Sequence, residues 1–526
     1  MFNLSQMISE GARENPNALA LICEEEALTY SDLDAAVDEV ALGLLSQGLR
    51  PGESVGLQLR NSPQFVATYY GALRAGLVIV PFNPLSVERE IAHILSTAQC
   101  SAVVTDSETA GEVVKAAAEA PLRLLVTTGD SFLEDSAAPV LRFETLRQEG
   151  AERREEAAEL LPTTNGEDVG VLIFTSGTTG RPKAAQLTHF NLWMSCTALS
   201  NRGNPHNGGV VLACLPLFHV YGMASTLNAA LAWGMTLVML PRFTARGALQ
   251  LISEHGVTRF SAVPTMISDM LRELEQSDSG AEFQLGSVQR VTVGGSTLPQ
   301  KLIDAFEARF TSAELLEGYG SSETTSSVCL TPSAAERRLG SVGVPAWGTR
   351  MRIVDIDGAP MPPGTHNLGE LQIKGPTIFA GYKDDPEATA EAFDGHWLKS
   401  GDIAAIDEAG FIYIKDRMKN LIIRGGYNVY AAEVESALQE HPSIEEAVVM
   451  GVPDDRVGQE IMAVLTLKPD QTVSEAEIIE FLAPRLARYK QPRRLTFAGQ
   501  LPRTAAGKIR RAELVHEFYA PEADQA

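Results

Sequence analysis

A chain of 526 residues with 44% apolar and 21% charged side chains is long enough to bury a large core in two or more domains. Its formal charge of −24 opposes approach to nucleic acid or an anionic membrane, which makes both poor bulk partners while leaving room for a local basic cluster. Cys23, Cys100, Cys196, Cys214 and Cys329 are scattered and form no C-x-x-C pair, so neither a zinc site nor a disulfide framework is indicated and a reducing cytoplasm is expected.

The N-terminal MFNLSQMISEGARENP lacks the basic flank and apolar stretch of a signal peptide. Residues 208–241 carry no charge and meet the length of a membrane span, but Pro216, His219, Asn228 and several glycines interrupt them. A buried strand–loop–helix–strand is expected there, with no transmembrane segment.

In chain order, a strand–helix alternation opens the sequence. Residues 28–33 lead into a helical pattern through Leu45, 54–59 read as a strand, 64–75 as a helix and 77–81 as a strand. Residues 149–167 are polar and charge-rich, the pattern of a surface helix and connector. The apolar run 171–174 then predicts a buried parallel strand. It ends in Thr175-Ser176-Gly177-Thr178-Thr179-Gly180-Arg181-Pro182-Lys183. Two glycines let backbone N–H groups turn inward, and the hydroxyls and Lys183 add donors and charge, so the loop suits a phosphate chain better than a plain Ser/Thr/Gly turn does. The spacing is not G-x-x-x-x-G-K-[ST]: Gly177 and Gly180 stand too close together, and Arg181-Pro182 intervene before Lys183. A P-loop kinase or ATPase is therefore disfavoured.

Four further strands are predicted at 210–217, 257–263, 288–293 and 313–316. They end in Phe218-His219-Val220-Tyr221-Gly222, Pro264-Thr265, Gly294-Gly295-Ser296-Thr297 and Glu317-Gly318-Tyr319-Gly320-Ser321-Ser322-Glu323-Thr324-Thr325. Open parallel sheets bind ligands at the carboxyl ends of their strands, so the five ends are expected to line one crevice. In the last loop, Gly318 and Gly320 admit a flat ligand to the backbone, and Tyr319 offers a stacking face. Glu323 is a hard oxygen ligand for Mg²⁺, and Thr324 is placed to bond a phosphate beside it. His219, set among aromatics, reads equally well as a satisfied core histidine.

Beyond residue 341 the texture changes to short strands at 351–354, 370–374, 402–406 and 411–414, a small β-rich subdomain. From residue 419 a compact mixed region follows, with strands 447–452 and 461–467 between helices 433–441 and 475–487, and 520–526 has the composition of a disordered tail. The expected fold is α/β. A large N-terminal part, residues 1–416, combines open βα-layered sheets with the β-rich subdomain, and a small α+β C-terminal domain covers 417–526.

These blocks, in this order over about residues 10–515, resemble the adenylate-forming (ANL) superfamily, and within it the acyl-CoA synthetases of the long-chain fatty-acid–CoA ligase type. Residues 175–183 are similar to its phosphate loop, with Ala184 where many relatives carry glycine. The resemblance implies ATP and Mg²⁺ as cofactors and a two-step reaction, in which a carboxylic acid forms acyl-AMP and a thiol then displaces AMP. Glu323 is the implied metal ligand. Gly294-Gly295-Ser296-Thr297 corresponds to the adenine-side glycine pair, touching adenine or substrate, and His219 to a gate and pocket wall.

Ser400-Gly401-Asp402 and Lys415-Asp416-Arg417 are similar to the ribose-binding blocks, with Lys419 at the hinge on which the small domain is expected to move. Arg424-Gly425-Gly426-Tyr427 matches the segment lining a pantetheine tunnel, and Lys508 in Leu501-Pro502-Arg503-Thr504-Ala505-Ala506-Gly507-Lys508 the lysine that neutralises phosphate charge in the first step. Coenzyme A is the implied acceptor. A carrier-protein arm, an amine or another nucleophile is the alternative, and a non-catalytic nucleotide- or acyl-binding homologue a remote one. His219, Tyr221, Met223, Thr265, Gly294, Gly295 and Gly320 suggest an open, largely apolar acid pocket, compatible with a fatty chain or an aryl carboxylate, with no basic residue among them for a second carboxylate.

Overall fold

The computed structural model of the chain describes residues 2–129, 136–175, 182–198, 209–276, 283–295, 298–424, 427–454, 456–503 and 509–519. The chain divides into two compact units, the first comprising Met1–Met351, Ile373–Leu398 and Ala409–Ile412, the second Arg352–Gln372, Lys399–Glu408 and Tyr413–Ala526.

Two largely parallel sheets build the first unit. One runs in the order Val140–Arg142, Leu124–Thr128, Cys100–Asp106, Ser54–Gln58, Val78–Pro81, Val169–Thr175, Lys183–Thr188. The other runs Val344–Pro345, Ser326–Leu330, Glu314–Ser321, Arg290–Val293, Arg259–Ala262, Val210–Ala213, Thr236–Met239, Leu19–Cys23, Glu26–Thr29. A single apolar cluster takes residues from both sheets, among them Val55, Leu57, Val171, Ala213 and Leu237. The helix Pro63–Arg74, capped by the Ser62 hydroxyl, contributes Phe65, Tyr69 and Tyr70 to it, all fully buried. A helix apolar on nearly every side belongs inside a large core. The buried phenols still find partners: Tyr70 donates to Asn228 Oδ1 at 2.8 Å and Asn228 Nδ2 donates to the Tyr69 oxygen at 3.1 Å.

The uncharged run 208–241 resolves, over its described part, into the strand Val210–Ala213, the helical turns Val220–Gly222, Met223–Asn228 and Ala229–Ala232, and the strand Thr236–Met239. Among the described residues no helix is long and apolar enough to cross a membrane. The first of these strands is shorter than its apolar run predicts. Asn61 donates to the carbonyls of Ala213 and Leu215 and accepts from the Leu217 amide, which satisfies the backbone as it leaves the sheet towards His219.

Two further expectations are corrected. The strand predicted to end at Leu316 continues to Ser321, through Gly318-Tyr319-Gly320, and turns back as Ser326–Leu330 in an antiparallel hairpin. Glycine permits this: a Cβ on Gly320 would stand 1.7 Å from the Ser326 carbonyl oxygen. The helix predicted over 475–487 stops at Leu482, because Pro484 cannot continue it.

In the second unit, Gly458–Leu467 lies between Ile444–Asp454 and Leu421–Arg424, with Tyr427–Tyr430 beyond the latter. Alternation along the two long strands sends Ala447, Val449, Ile461 and Ala463 into one core with the helices Ala431–Gln439 and Glu475–Leu482. It sends Val448, Met450, Met462 and Val464 into another with Leu514 of the helix Arg511–Phe518. Another five-stranded sheet joins Arg350–Val354, Gly369–Lys374, Trp397–Ile406, Phe393–Asp394 and Ile412–Arg417. The architecture is the expected α/β one, with a β-rich subdomain and a small α+β part.

Candidate active site

Thr175 and Lys183 face one another across an antiparallel pair, Val169–Thr175 with Lys183–Thr188. Ser176, Gly177, Thr178, Thr179 and Gly180 lie outside the described residues. The strand Lys183–Thr188 is held on its other side by the segment 380–383: Gln186 N donates to Gly381 O, Ala380 N to Gln186 O, and Lys383 N to Ala184 O, each at 2.9 Å. That segment carries Tyr382 and leads to Asp385. Lys183 is 21% exposed, with its Nζ 4.0 Å from Asp385 Oδ2 and 5.5 Å from the centre of the Tyr382 ring.

Tyr382 also reaches the glycine-rich hairpin. Its hydroxyl donates to Glu323 Oε1 at 3.0 Å. Burial, and then the charge of Glu323, push the phenol well above its usual range, so it remains a donor through neutral pH. The turn bearing Glu323 is tied down at several points. Phe379 N donates to Glu323 O at 2.9 Å, and the Thr325 hydroxyl to Thr377 O at 2.7 Å. The Thr324 hydroxyl accepts from Ser321 N and donates to Ser326 O, both at 2.8 Å, so it is committed to shaping the turn. Thr325 and Ser326 hold positive φ of 52° and 84°, strained values for side-chain-bearing residues. Lys183 and Glu323 thus come from different sheets and meet through Tyr382, a residue the sequence does not single out.

The strand ends carrying Gly294 and Gly318 meet at Tyr221. A Cβ on Gly294 would lie 3.3 Å from Tyr221 Cζ and 3.4 Å from the Gly318 carbonyl oxygen, so glycine keeps this wall open. Tyr221 donates to Thr292 O at 3.0 Å. His219 is exposed, which sets aside the core-histidine reading, and its Nδ1 accepts the Tyr221 amide at 3.3 Å, leaving Nε2 to carry the proton of the neutral ring. Thr265 is exposed in the first turn of Pro264–Gln276, Gly295 and Gly320 are exposed, Tyr319 is half-buried, and Met223 is fully buried in the main core. Ser296 and Thr297 lie outside the described residues. Glu317, which precedes the glycines, is 3% exposed: Oε1 accepts from Leu298 N at 3.2 Å while Oε2 has no hydrogen-bond partner among the described residues, and burial raises its carboxyl.

In the second unit Asp402 is 4% exposed, and Arg417 pairs with it, Nε to Oδ1, at 3.2 Å. Its neighbour Asp416, also buried, accepts from Arg417 N at 2.7 Å and Asn420 Nδ2 at 3.2 Å through one oxygen and from Ala432 N at 2.8 Å through the other. It therefore fixes the segment carrying Lys419 to the start of the helix Ala431–Gln439. The side chain of Lys419, Gly425, Gly426 and Lys508 lie outside the described residues. Arg424, next to the glycine pair, forms a bidentate pair with Glu460, at 2.5 and 2.8 Å.

Among the described residues no group of three or more His, Cys, Asp or Glu could hold a metal alone. Tyr382 engages one oxygen of Glu323, and among the described residues no hydrogen bond takes the other. A single carboxylate joined through Tyr382 to the Lys183 ammonium is a donor set that suits Mg²⁺ arriving with a nucleotide, because this ion keeps waters and phosphate oxygens as its remaining ligands. The residues present fit the metal and the nucleotide.

The first unit brings Lys183 and Glu323 together about Tyr382, and the second holds the pair Asp402–Arg417. Residues 8–383 match the AMP-binding enzyme family and residues 433–508 the AMP-binding enzyme C-terminal domain. The chain belongs to the AMP-binding enzyme family, as an acid–thiol ligase of the acyl-CoA synthetase type. It is 33% identical to a long-chain-fatty-acid–CoA ligase of Bacillus subtilis (strain 168), over 98% of this chain and 94% of that protein. It is 32% identical to a feruloyl-CoA synthase of an Amycolatopsis species, over 96% and 97%. Its fold is similar to that of o-succinylbenzoate coenzyme A synthetase from Bacillus subtilis in complex with ATP and magnesium ion, with a TM-score of 0.81 and 29% identity over 97% of this chain and 98% of that one.

Proposed function

We propose that the chain activates a fatty or aryl carboxylic acid with Mg·ATP to acyl-AMP and pyrophosphate, and then passes the acyl group to coenzyme A, releasing AMP. The observation that carries this reading is the grouping of Lys183 and Glu323 about Tyr382. A carboxylate attacking a phosphate joins two anions, so the site must supply fixed geometry and positive charge rather than a covalent nucleophile. Magnesium held by Glu323 supplies part of that charge when bound. Thr175, the loop 176–180 and Lys183 cradle the phosphates, and Asp402 accepts the ribose hydroxyls with Arg417 adding donors.

Gly294–Thr297, Gly318 and Gly320 make room for adenine and acid, and Tyr319 stacks on the base. His219 gates the acid's entrance, with Tyr221 and Thr265 beside it, while Met223, buried in the main core, backs the pocket from within. Residues 1–416 and 417–526 act as two domains hinged at Lys419. Lys508 serves the first step, and Gly425-Gly426 admit the thiol in the second. The relatives, named for a long-chain fatty acid and for ferulate, support both acid classes.

Screening fatty and aryl acids for pyrophosphate release, with and without coenzyme A, tests the reading. Acid-dependent release followed by thioester formation with free coenzyme A is expected. Release without a thioester transfers the acceptor role to a carrier protein or an amine, and absence of release with every acid removes the reading.

A further inference from the structure

The helix Glu88–Ala98 buries Ile91, Ile94 and Leu95 in an apolar cluster that also takes Leu172 and Ala184, one from each strand of the pair Val169–Thr175 and Lys183–Thr188. That packing brings His93, half-buried on the same helix, to the end of the strand pair. Its Nε2 lies 2.8 Å from the Pro182 carbonyl oxygen, and its ring meets Phe174 edge-on, 6.0 Å between centres at 78°. Phe174 precedes Thr175 and Pro182 precedes Lys183, and Thr175 and Lys183 are the last register pair of the two strands. One side chain thus touches both strands at the residues before the expected phosphate contacts.

The direction of the hydrogen bond follows from its acceptor. A carbonyl oxygen only accepts, so Nε2 carries the proton and donates, and Nδ1 keeps a lone pair towards the Thr97 hydroxyl, one turn on at 3.4 Å. A peptide unit is planar, so holding the Pro182 carbonyl holds the plane that ends at the Lys183 nitrogen. Proline has no N–H, which leaves that carbonyl as the one backbone group through which the residue can be tied. Tyr382 and Asp385 therefore address the side chain of Lys183, and His93 addresses the backbone that carries it.

We propose that His93 is a positioning residue for the first half-reaction: its hydrogen bond to Pro182, with its ring against Phe174, sets Thr175 and Lys183 for the phosphates of Mg·ATP. The proposal rests on the acid-activating reading above, in which those two residues hold the phosphates. It adds a residue that acts on the nucleotide only through them.

The test separates the donor from the ring. His93→Phe keeps an aromatic ring on Phe174 and loses the donor, whereas His93→Gln loses the ring and keeps an N–H that reaches the carbonyl. Calorimetric binding of Mg·ATP should weaken about three- to tenfold in His93→Phe, the worth of one neutral hydrogen bond, and recover most of that loss in His93→Gln. Binding of AMP, which offers one phosphate of the three, should change less than about twofold in both. Formation of acyl-AMP from an acid accepted in the screen above should follow Mg·ATP binding, through the KM for ATP. Conversion of supplied acyl-AMP with coenzyme A should stay within about twofold of the wild type. A general loss of packing would instead weaken both nucleotides and slow both steps together, and that result overturns the proposal. So do unchanged Mg·ATP binding in His93→Phe and equal losses in the two variants, and each of these leaves the ligase reading in place. The expected difference in Mg·ATP binding between the variants, in an enzyme that releases no pyrophosphate with any acid, supports the positioning role and counts against the ligase reading.

Discussion

The Tyr382 hydroxyl donates to Glu323 Oε1 at 3.0 Å while the same ring lies 5.5 Å beneath the Lys183 ammonium, so one side chain sets both the expected metal ligand and the expected phosphate cation. Tyr382→Phe keeps the ring and removes the donor. Pyrophosphate release at limiting Mg²⁺ should fall about three- to tenfold, with recovery at saturating Mg²⁺. Tyr382→Leu, which also removes the ring, should not recover. Equal behaviour of the two variants would show that the hydroxyl does not position Glu323.

Glu323→Gln should fold normally yet release pyrophosphate far more slowly, because a neutral amide is a poor ligand for a hard cation. Titrating Mg²⁺ against rate in this variant checks it. An unchanged Mg²⁺ dependence assigns the carboxylate to the hairpin alone.

Asp402→Ala should weaken ATP binding by about 1.5–3 kcal/mol, the worth of hydrogen bonds to a charged acceptor. Equilibrium binding of ATP reads this directly. If the dissociation constant stays put, Asp402 serves only as the partner of Arg417.

Much of this was legible in the sequence, and the failures share a cause. Strand ends follow from periodicity and the lysine after residues 175–182 from the chemistry of its loop, whereas Asp402 and Arg417 stand out only through the family resemblance. Tyr382 was missed because its contact with Glu323 spans 59 residues and no local pattern marks it. Asp416 was read only as a neighbour of Arg417, since its bond to Ala432 is also long-range. The glycine block reads as a loop, because glycine and serine lower strand propensity, yet the close approach at Gly320 is what permits the hairpin. The five strand ends do not share a sheet: Val169–Thr175 lies in the seven-stranded one and the other four in the nine-stranded one.

Glu317 gives a pH signature. Burial raises its carboxyl, so the native state favours the protonated form. Its contribution to stability is then full below the ordinary carboxylate range and is lost as pH rises through the raised native value. Glu317→Gln should match the wild type in acid and melt about a degree or two higher at neutral pH. Parallel melting curves across that range would contradict the assignment.

Lys508 and Gly426 should divide the two half-reactions. Lys508→Ala should cripple formation of acyl-AMP by removing a cation from developing phosphate charge, and spare the conversion of supplied acyl-AMP with coenzyme A. Gly426→Leu should do the reverse by obstructing the thiol. Loss of the same half-reaction in both variants argues against a small domain that serves two steps.

The most direct test of the central claim is the identity of the products formed from ATP when an accepted acid is present and coenzyme A is withheld. Pyrophosphate and enzyme-bound acyl-AMP are predicted, with AMP and acyl-CoA appearing only when coenzyme A is added. ADP with phosphate, or pyrophosphate released equally without any acid, would contradict it.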